Sequence, residues 1–357
     1  MKSLSVKDLD ALALGATFLG TGGGGDPYIG RLMAEAAISR YGPVSLADIE
    51  ELPDDGLIVP AAMMGAPTVM LEKIPSGQEV KMAVERLEKS LQREAVAIMT
   101  IEAGGINSLI PLAVAAELGL PIIDGDTMGR AFPELQMTSL HVHGLTATPM
   151  VIVDEKGNNM VIEAIDNMWT ERLARTATIA MGGSAIIALY PLTVRQAYPS
   201  IVRGTLSKAW KIGQLLQDTS RDPEDKLRVL YQSYEASHLF SGKVVDVVRH
   251  STDGFARGTM SAIDLGREED VLRVEFQNEN LLAMLNGTII ASVPDLICIL
   301  DSETLQPITT EGLTYGQRIV VLSLPAEPVW HTAKGLETVG PRYFGYDFDY
   351  IPLRRTL

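Results

Sequence analysis

Three apolar runs in the first third of the chain constrain its fold most: Leu57-Ile58-Val59-Pro60-Ala61-Ala62-Met63, Ala95-Val96-Ala97-Ile98-Met99-Thr100-Ile101 and Pro121-Ile122-Ile123. Each is short and nearly free of polar residues, as a strand buried on both faces requires. Helical patterns at about 78–92 and 108–118 separate them, the second stopped by Gly119. Strands alternating with helices predict a mainly parallel sheet covered on both sides. Met150 to Asp154 and Met160 to Glu163, joined across Glu155-Lys156-Gly157-Asn158, predict a closing hairpin.

The pattern then changes twice. From about 164 to 234 it is helical, with a break near Gly182-Gly183 and Pro191. From Gly242 onward short strand-like runs follow one another: Lys243–Arg249, Ala256–Ile263, Val271–Phe276, Thr288–Ser292, Leu296–Leu300 and Arg318–Leu324. Turn signals at Asp253-Gly254, Asn286-Gly287 and Tyr315-Gly316 lie between them. The fold class expected is α/β plus all-β: an N-terminal α/β domain over residues 1–165, then a helical bridge and a β-barrel-like domain over 166–357. A chain of 357 residues is long enough for two cores.

Charge and composition exclude several functions. A formal charge of −15 with no compensating Lys/Arg run opposes a phosphate backbone, so nucleic acid is not an expected partner. The single cysteine, Cys298, excludes an internal disulfide framework and a Cys-rich zinc module, and reads as a small apolar group in a core strand. No secretory signal follows Met1-Lys2, which predicts a cytoplasmic protein. The uncharged stretch Thr176 to Val194 is long enough to span a membrane but is broken by glycines and Pro191, so no membrane partner is expected.

Candidate chemistry collects at the strand ends, where open α/β sheets place their ligands. The first run ends in Met64-Gly65-Ala66-Pro67, the second in Glu102-Ala103-Gly104-Gly105-Ile106-Asn107, and the third in Asp124-Gly125-Asp126-Thr127. Glu102, Asp124 and Asp126 are therefore candidate acid–base or metal-binding groups. The loop Gly20-Thr21-Gly22-Gly23-Gly24-Gly25-Asp26-Pro27 joins them as a wall whose N–H groups, at Gly22, Gly23 and Gly24, face a ligand together with Asp26 and Asn107. This loop satisfies the dinucleotide spacing but follows a helical pattern (Val6, Leu9, Leu12, Ala13, Ala16) where that fingerprint needs a strand. A plainer reading stands beside each of these: Asp26 and Asn107 as helix caps, Asp124 and Asp126 as turn formers. His141 and His143 would point the same way on an extended segment and could grip a metal together, although ordinary structural histidines are commoner. Arg342, in the aromatic run Gly340 to Asp347, could hold a carboxylate or ring carbonyl.

Taken together, the Gly20–Pro27 loop, Glu102 to Asn107, Asp124-Gly125-Asp126-Thr127-Met128-Gly129-Arg130-Ala131-Phe132-Pro133-Glu134, Met181-Gly182-Gly183-Ser184, Pro294-Asp295-Leu296 and Gly340 to Asp347 resemble the bacterial and archaeal family named after S-methyl-thiohydantoin desulfurase. The resemblance spans nearly the whole chain. It implies a three-layer N-terminal α/β domain, a C-terminal β-barrel-like domain, and metal-dependent hydrolysis of a hydantoin or S-methyl-thiohydantoin-like cyclic amide with release of a thiol. A divalent metal such as zinc would sit among Asp124, Asp126, His141 and His143, with Asp124, Asp126 and Glu102 catalytic. The substrate, a small molecule, would be held by Gly22, Gly23, Gly24, Asp26, Asn107, Arg130 and Arg342. The alternative is a non-catalytic accessory or ligand-binding subunit that associates with hydantoinase or oxoprolinase enzymes. Assembly as a homo-oligomer is the remaining partner expectation.

Overall fold

The computed structural model describes residues 3–65, 69, 73, 75–252, 255–267 and 269–353. The expected turn at Asp253-Gly254 and the strand-end residues Ala66 and Pro67 lie outside the described residues. The first strands in chain order are β1 (Ser3–Leu4), β2 (Val44–Ala47), β3 (Leu57–Gly65), β4 (Ala95–Thr100), β5 (Ile122–Ile123) and β6 (Gly125–Asp126). They are followed by β7 (Met150–Val153), β8 (Asn159–Ile162), β9 (Ser184–Ala188), β10 (Leu192–Thr193) and β11 (Val202–Arg203). The first sheet has the spatial order β1-β2-β5-β4-β3-β9-β7-β8, with β10 against β3, while β6 pairs separately with β11.

The expected alternation is present, but the sheet is mixed instead of mainly parallel. Among the described residues, only the ladders β2/β5, β5/β4 and β4/β3 are parallel. The hairpin β7–β8 and strand β9 enter antiparallel, as does β10. Strand β9 comes from the segment whose pattern reads as helical. Its residues Ser184-Ala185-Ile186-Ile187-Ala188 are all buried, and a short run buried on both faces gives no period to separate strand from helix. Gly182 and Gly183, at φ 92° and 91°, follow the helix Asn167–Ala180 and turn the chain into β9.

Alternate residues of β3 feed two cores. Leu57, Val59, Ala61 and Met63 pack with Leu12, Phe18, Leu87 and Leu112, while Ile58, Ala62 and Met64 pack with Phe132, Leu140, Ala174 and Trp330. The helix Leu9–Leu19 crosses the helix Thr205–Gln217 at glycines. A Cβ on Gly15 would overlap the Ala209 carbonyl, and one on Gly213 would overlap that of Ala11. This close crossing ties the bridge to the first core and fixes the point where the glycine loop leaves Leu19.

The second sheet comprises β12 (Ser237–Thr252), β13 (Phe255–Ile263), β14 (Val271–Gln277), β15 (Glu279–Leu285), β16 (Thr288–Ser292), β17 (Leu296–Asp301) and β18 (Arg318–Leu324). It is antiparallel throughout, in the order β16-β15-β14-β13-β12-β18-β17, and curls into a half-barrel so that β15 and β16 approach β17. The Asn280 side chain closes that approach by donating to the Ile297 carbonyl at 2.8 Å. No helix among the described residues is long and apolar enough to cross a membrane.

Candidate active site

The loop after β4 is folded by Thr100, whose hydroxyl donates to the carbonyls of Glu102 (2.8 Å) and Asn107 (2.6 Å). Asn107 then braces the adjacent strand. Its amide accepts from Met63 N–H at 2.7 Å and donates to Met63 O at 3.2 Å and to Glu102 Oε1 at 2.7 Å. Glu102 is only 6% exposed, and its other oxygen, Oε2, has no hydrogen-bond partner among the described residues. Burial pushes this carboxyl up to about 8, against the opposing bond from Asn107, and the neighbouring Asp126 adds to the rise.

Asp126 is fully buried and already occupied. Its carboxyl accepts from Ala103 N–H at 2.7 Å and from Gly129 N–H at 2.8 and 3.0 Å, tying together the loops after β4 and β6. Burial raises it to about 7, and the backbone donors pull the other way. It therefore positions the Glu102 loop and offers little to a ligand.

The glycine loop is stitched to both halves of the molecule. Gly24 O accepts from Ile106 N–H at 2.9 Å on one side. On the other, Thr21 O and Gly22 O accept from Asn280 and Thr310 N–H groups, both at 2.8 Å. Gly22, Gly24 and Gly25 have φ of 91°, 73° and 72°, where side chains are strained. Space requires glycine as well: a Cβ on Gly23 would overlap the Glu279 carboxylate, and one on Gly24 would come within 2.8 Å of Gly104 C. The loop follows the helix Leu9–Leu19, as the sequence predicts, and lets a carboxylate from the second sheet reach a cleft beside the first.

That cleft, narrow at about 80 Å³, has Gly23, Gly24, Gly25, Glu102 and Asn107 on one wall and Asn278, Glu279 and Glu311 on the other. Phe132, Glu134 and Arg175 line it as well. Glu279 is 2% exposed with Oε2 unpartnered, and Glu311 Oε2 is likewise buried without a partner. Burial pushes Glu279 up, repulsion from Glu102 adds to this, and the Arg130 guanidinium opposes it. Burial also raises Glu311, with Arg249 opposing. Arg130 is fully buried: Nη1 donates to the carbonyls of Pro294 (2.6 Å) and Asp295 (2.9 Å), Nε to that of Ala131 (3.1 Å), and Nη2 has no partner. Its guanidinium carbon lies 4.5 Å from the centre of the Phe132 ring. Burial lowers Arg130 to about 10, and Glu279 is the foremost group resisting that fall.

Two consecutive family models match the chain: the S-Me-THD-like N-terminal domain over residues 7–164 and the S-Me-THD-like C-terminal domain over 165–353. The chain belongs to the S-Me-THD-like family. Among solved structures, the X-ray crystal structure of a protein from Chromobacterium violaceum is similar, with a TM-score of 0.84 and 25% identity over 99% of this chain and 100% of the other. No curated protein matches the sequence.

Within this family member, the expected site residues divide. Glu102, Asn107, Gly23 and Gly24 line the cleft, Gly22 abuts Asn280 beside it, and Arg130 stands behind Phe132. Asp124 is elsewhere: its carboxylate accepts from Ser207 N–H at 3.0 Å and Ser207 Oγ at 2.5 Å, capping the helix Thr205–Gln217 from outside. Asp26 is exposed and accepts from Tyr28 N–H at 2.8 Å. Arg342 is exposed and held by Asp347 and Asp349 at 3.2 and 2.6 Å.

His141 and His143 occupy a one-turn helix, Ser139–Val142, and its end, so the same-side geometry of an extended segment does not arise. The His141 ring bonds Asn167 at 3.0 Å, and that of His143 bonds Ser139 O at 2.8 Å. Among the described residues no three His, Cys, Asp or Glu side chains form a group that could hold a metal. The expected donor set of Asp124, Asp126, His141 and His143 is thus not brought together. Cys298 is packed, with Sγ 3.1 Å from Phe18 O and its thiol raised by burial to about 12.

Sequence reasoning missed Glu279, Asn278 and Glu311. The only signal for the first two was the polar run Gln277-Asn278-Glu279-Asn280, which reads as a loop. Asn278 in fact makes a one-residue turn at φ 57° between β14 and β15, its side chain accepting from Ala256 N–H at 2.8 Å.

Proposed function

We propose that the cleft hydrolyses a small cyclic amidine of the S-methyl-thiohydantoin type. The observation carrying this reading is that two almost fully buried carboxyls from opposite walls, Glu102 and Glu279, each present an unpartnered oxygen at one cleft, with the Arg130 guanidinium behind. Mutually repelling buried carboxyls divide their protons unequally. Burial raises both members and repulsion from Glu102 raises Glu279 further, so the pair holds protons at neutral pH and divides the acid and base roles between its two carboxyls.

In this reading a water molecule adds to the ring carbon that carries the S-methyl group. The C–O bond forms as the ionised member of the pair takes the water proton, on a ring whose adjacent nitrogen carries a proton, given by the other member where the ring arrives neutral. The C–S bond then breaks with its electron pair on sulfur; the departing methanethiolate takes the proton captured from water, and the hydroxyl on the ring carbon passes its own proton to the carboxyl that had protonated the ring, which restores both carboxyls. The ring carbon is left as a carbonyl. Gly23 and Gly24 line the cleft and leave room for the Glu279 carboxylate to reach it, and Phe132 gives the ring an apolar wall.

The test is thiol release from S-methyl-thiohydantoin by the purified protein. Glu102→Gln and Glu279→Gln should each lower kcat/KM by about 10²–10⁴, the span of acid–base catalysis, with cooperative unfolding retained. Undiminished turnover in both variants overturns the assignment. A ring that binds, with no thiol released by the intact protein, favours the ligand-binding subunit instead.

A further inference from the structure

The described residues lining the cleft carry more acids than it can match with cations. Glu102, Glu134, Glu279 and Glu311 line it, and Arg175 is the lining cation. Arg175 is already committed, for its Nε pairs with the buried Glu171 and its Nη2 donates to Pro133 O at 3.0 Å. Arg130, behind Phe132, can balance one carboxylate. The nearby Asp126 and Asp26 add negative charge, and Arg249 faces Glu311 from the second sheet. Glu134 accepts from the Tyr343 hydroxyl at 2.7 Å and from the Gln136 amide. The Oε2 atoms of Glu102, Glu279 and Glu311 have no hydrogen-bond partner among the described residues, while the Phe132 N–H favours the charged form of Glu102 and the Thr309 hydroxyl that of Glu311. A ligand that supplied only acceptors would leave these oxygens buried and unmet, which costs about 1–3 kcal/mol for each such group.

Resting on the function proposed above, we infer that the cleft binds its ring as a cation, a protonated cyclic amidine or isothiourea whose N–H donors meet the unpartnered oxygens of Glu102, Glu279 and Glu311, and that a neutral ring urea is a poor ligand. A hydrolysed product, having a carbonyl where the substrate had a protonated C=N, loses the charge that held it and leaves. Glu311, from the connection between β17 and β18, is the specificity residue in this scheme, since it sets charge without taking a role in the bond changes. A carboxyl kept neutral by burial must ionise to meet the cation, so binding of a ring already charged in solution releases a proton.

The probes are 2-methylthio-2-imidazoline and 2-aminoimidazoline, both cations at neutral pH, and the neutral 2-imidazolidinone. Titration calorimetry at pH 8 in buffers of different ionisation enthalpy should show the cations binding at least about tenfold more tightly, an affinity gap of about 1.4 kcal/mol, with proton release. Their affinity should fall from pH 8 to pH 6 as the carboxyls take up protons. Glu311→Gln should weaken the cations about tenfold and raise KM with little change in kcat, leaving 2-imidazolidinone binding as it was. Equal binding of charged and neutral rings, or cation binding without proton release, overturns the inference while leaving thiol release free to stand. Failure of every ring to bind at millimolar concentration, together with no thiol release, overturns the function on which it rests.

Discussion

The two walls of the cleft are built on opposite plans. On the first-sheet wall, Glu102 is held by a relay: Asp126 fixes the loop through Ala103 and Gly129, and Asn107 links one Glu102 oxygen to the backbone of β3. On the second-sheet wall, Glu279 stands at the start of β15 with no side-chain brace of that kind among the described residues, and what faces it is the bare backbone of Gly23 and the charge of Arg130. One wall positions its acid by hydrogen bonds, the other by shape and electrostatics. A carboxyl fixed by donors resists displacement, whereas one fixed by the absence of a side chain across from it is displaced by a methyl group.

The largest expected effect follows from that contrast. Gly23→Ala places a Cβ where the Glu279 carboxylate lies, so the carboxylate must move away from the cleft. Thiol release should fall about 100-fold or more, because a misplaced group of about 1 Å already costs that much in positioning. If the alanine variant turns over normally, Glu279 is not held by shape. An equal loss for Asn107→Ala would erase the difference between the walls.

The relay predicts stability effects next. Asp126→Ala leaves the Ala103 and Gly129 N–H groups buried without an acceptor, and should destabilise by about 2–4 kcal/mol in denaturant titration. Asp124→Ala removes only a partly exposed cap from the helix Thr205–Gln217 and should cost about 1 kcal/mol, with turnover unchanged within about twofold. A loss of turnover in the Asp124 variant comparable to that in Glu102→Gln would return Asp124 to the catalytic set.

The Glu102 carboxyl also links stability to pH. Its folded value is about 8, whereas an unfolded glutamate titrates near 4.3. Between those values the folded protein keeps a proton that the unfolded chain gives up, so this group makes stability fall as pH rises from about 4 to about 8. Glu102→Gln mimics the protonated form and removes the dependence. Its Tm relative to the parent should rise by several degrees between pH 5 and pH 8.5, at about 2–4 °C per kcal/mol for a protein this large. Parallel Tm curves would show that Glu102 titrates normally. Turnover in the parent should decline above pH 8 as the acid is lost.

These contrasts also explain what could be read in the chain beforehand. The strands of the first-sheet wall are long uncharged runs, and Glu102 and Asn107 stand at the end of one, so location alone marked them. Asp124 and Asp126 stand equally close to a strand end, yet β6 and the helix cap turn them to different neighbours, a matter of tertiary packing that spacing does not encode. His141 and His143 failed as a pair because the intervening backbone is helical. Glu279 and Glu311 come from over 150 residues beyond Glu102 in sequence, and β15 begins with a polar Glu-Asn pair because that end of the strand faces the cleft and the seam. The cleft-lining position therefore concealed the strand: polar residues at that end broke the alternation by which strands are recognised.

The smallest expected effect concerns the chain end. Arg342 was a candidate for holding a substrate carboxylate, but its guanidinium is spent on Asp347 and Asp349 within its own tail, and its side chain is 58% exposed. Exposed pairs of this kind contribute about 0–1 kcal/mol and are screened by salt, because water solvates the separated charges nearly as well. Arg342→Ala should shift stability by no more than about 0.5 kcal/mol, less still in 0.5 M salt, and should change kcat/KM less than about twofold. A selective rise in KM in this variant would mean that the tail leaves its aspartates and folds over the cleft, giving the site a third wall. A null result leaves two walls, with recognition resting on the carboxyls of Glu102, Glu279 and Glu311.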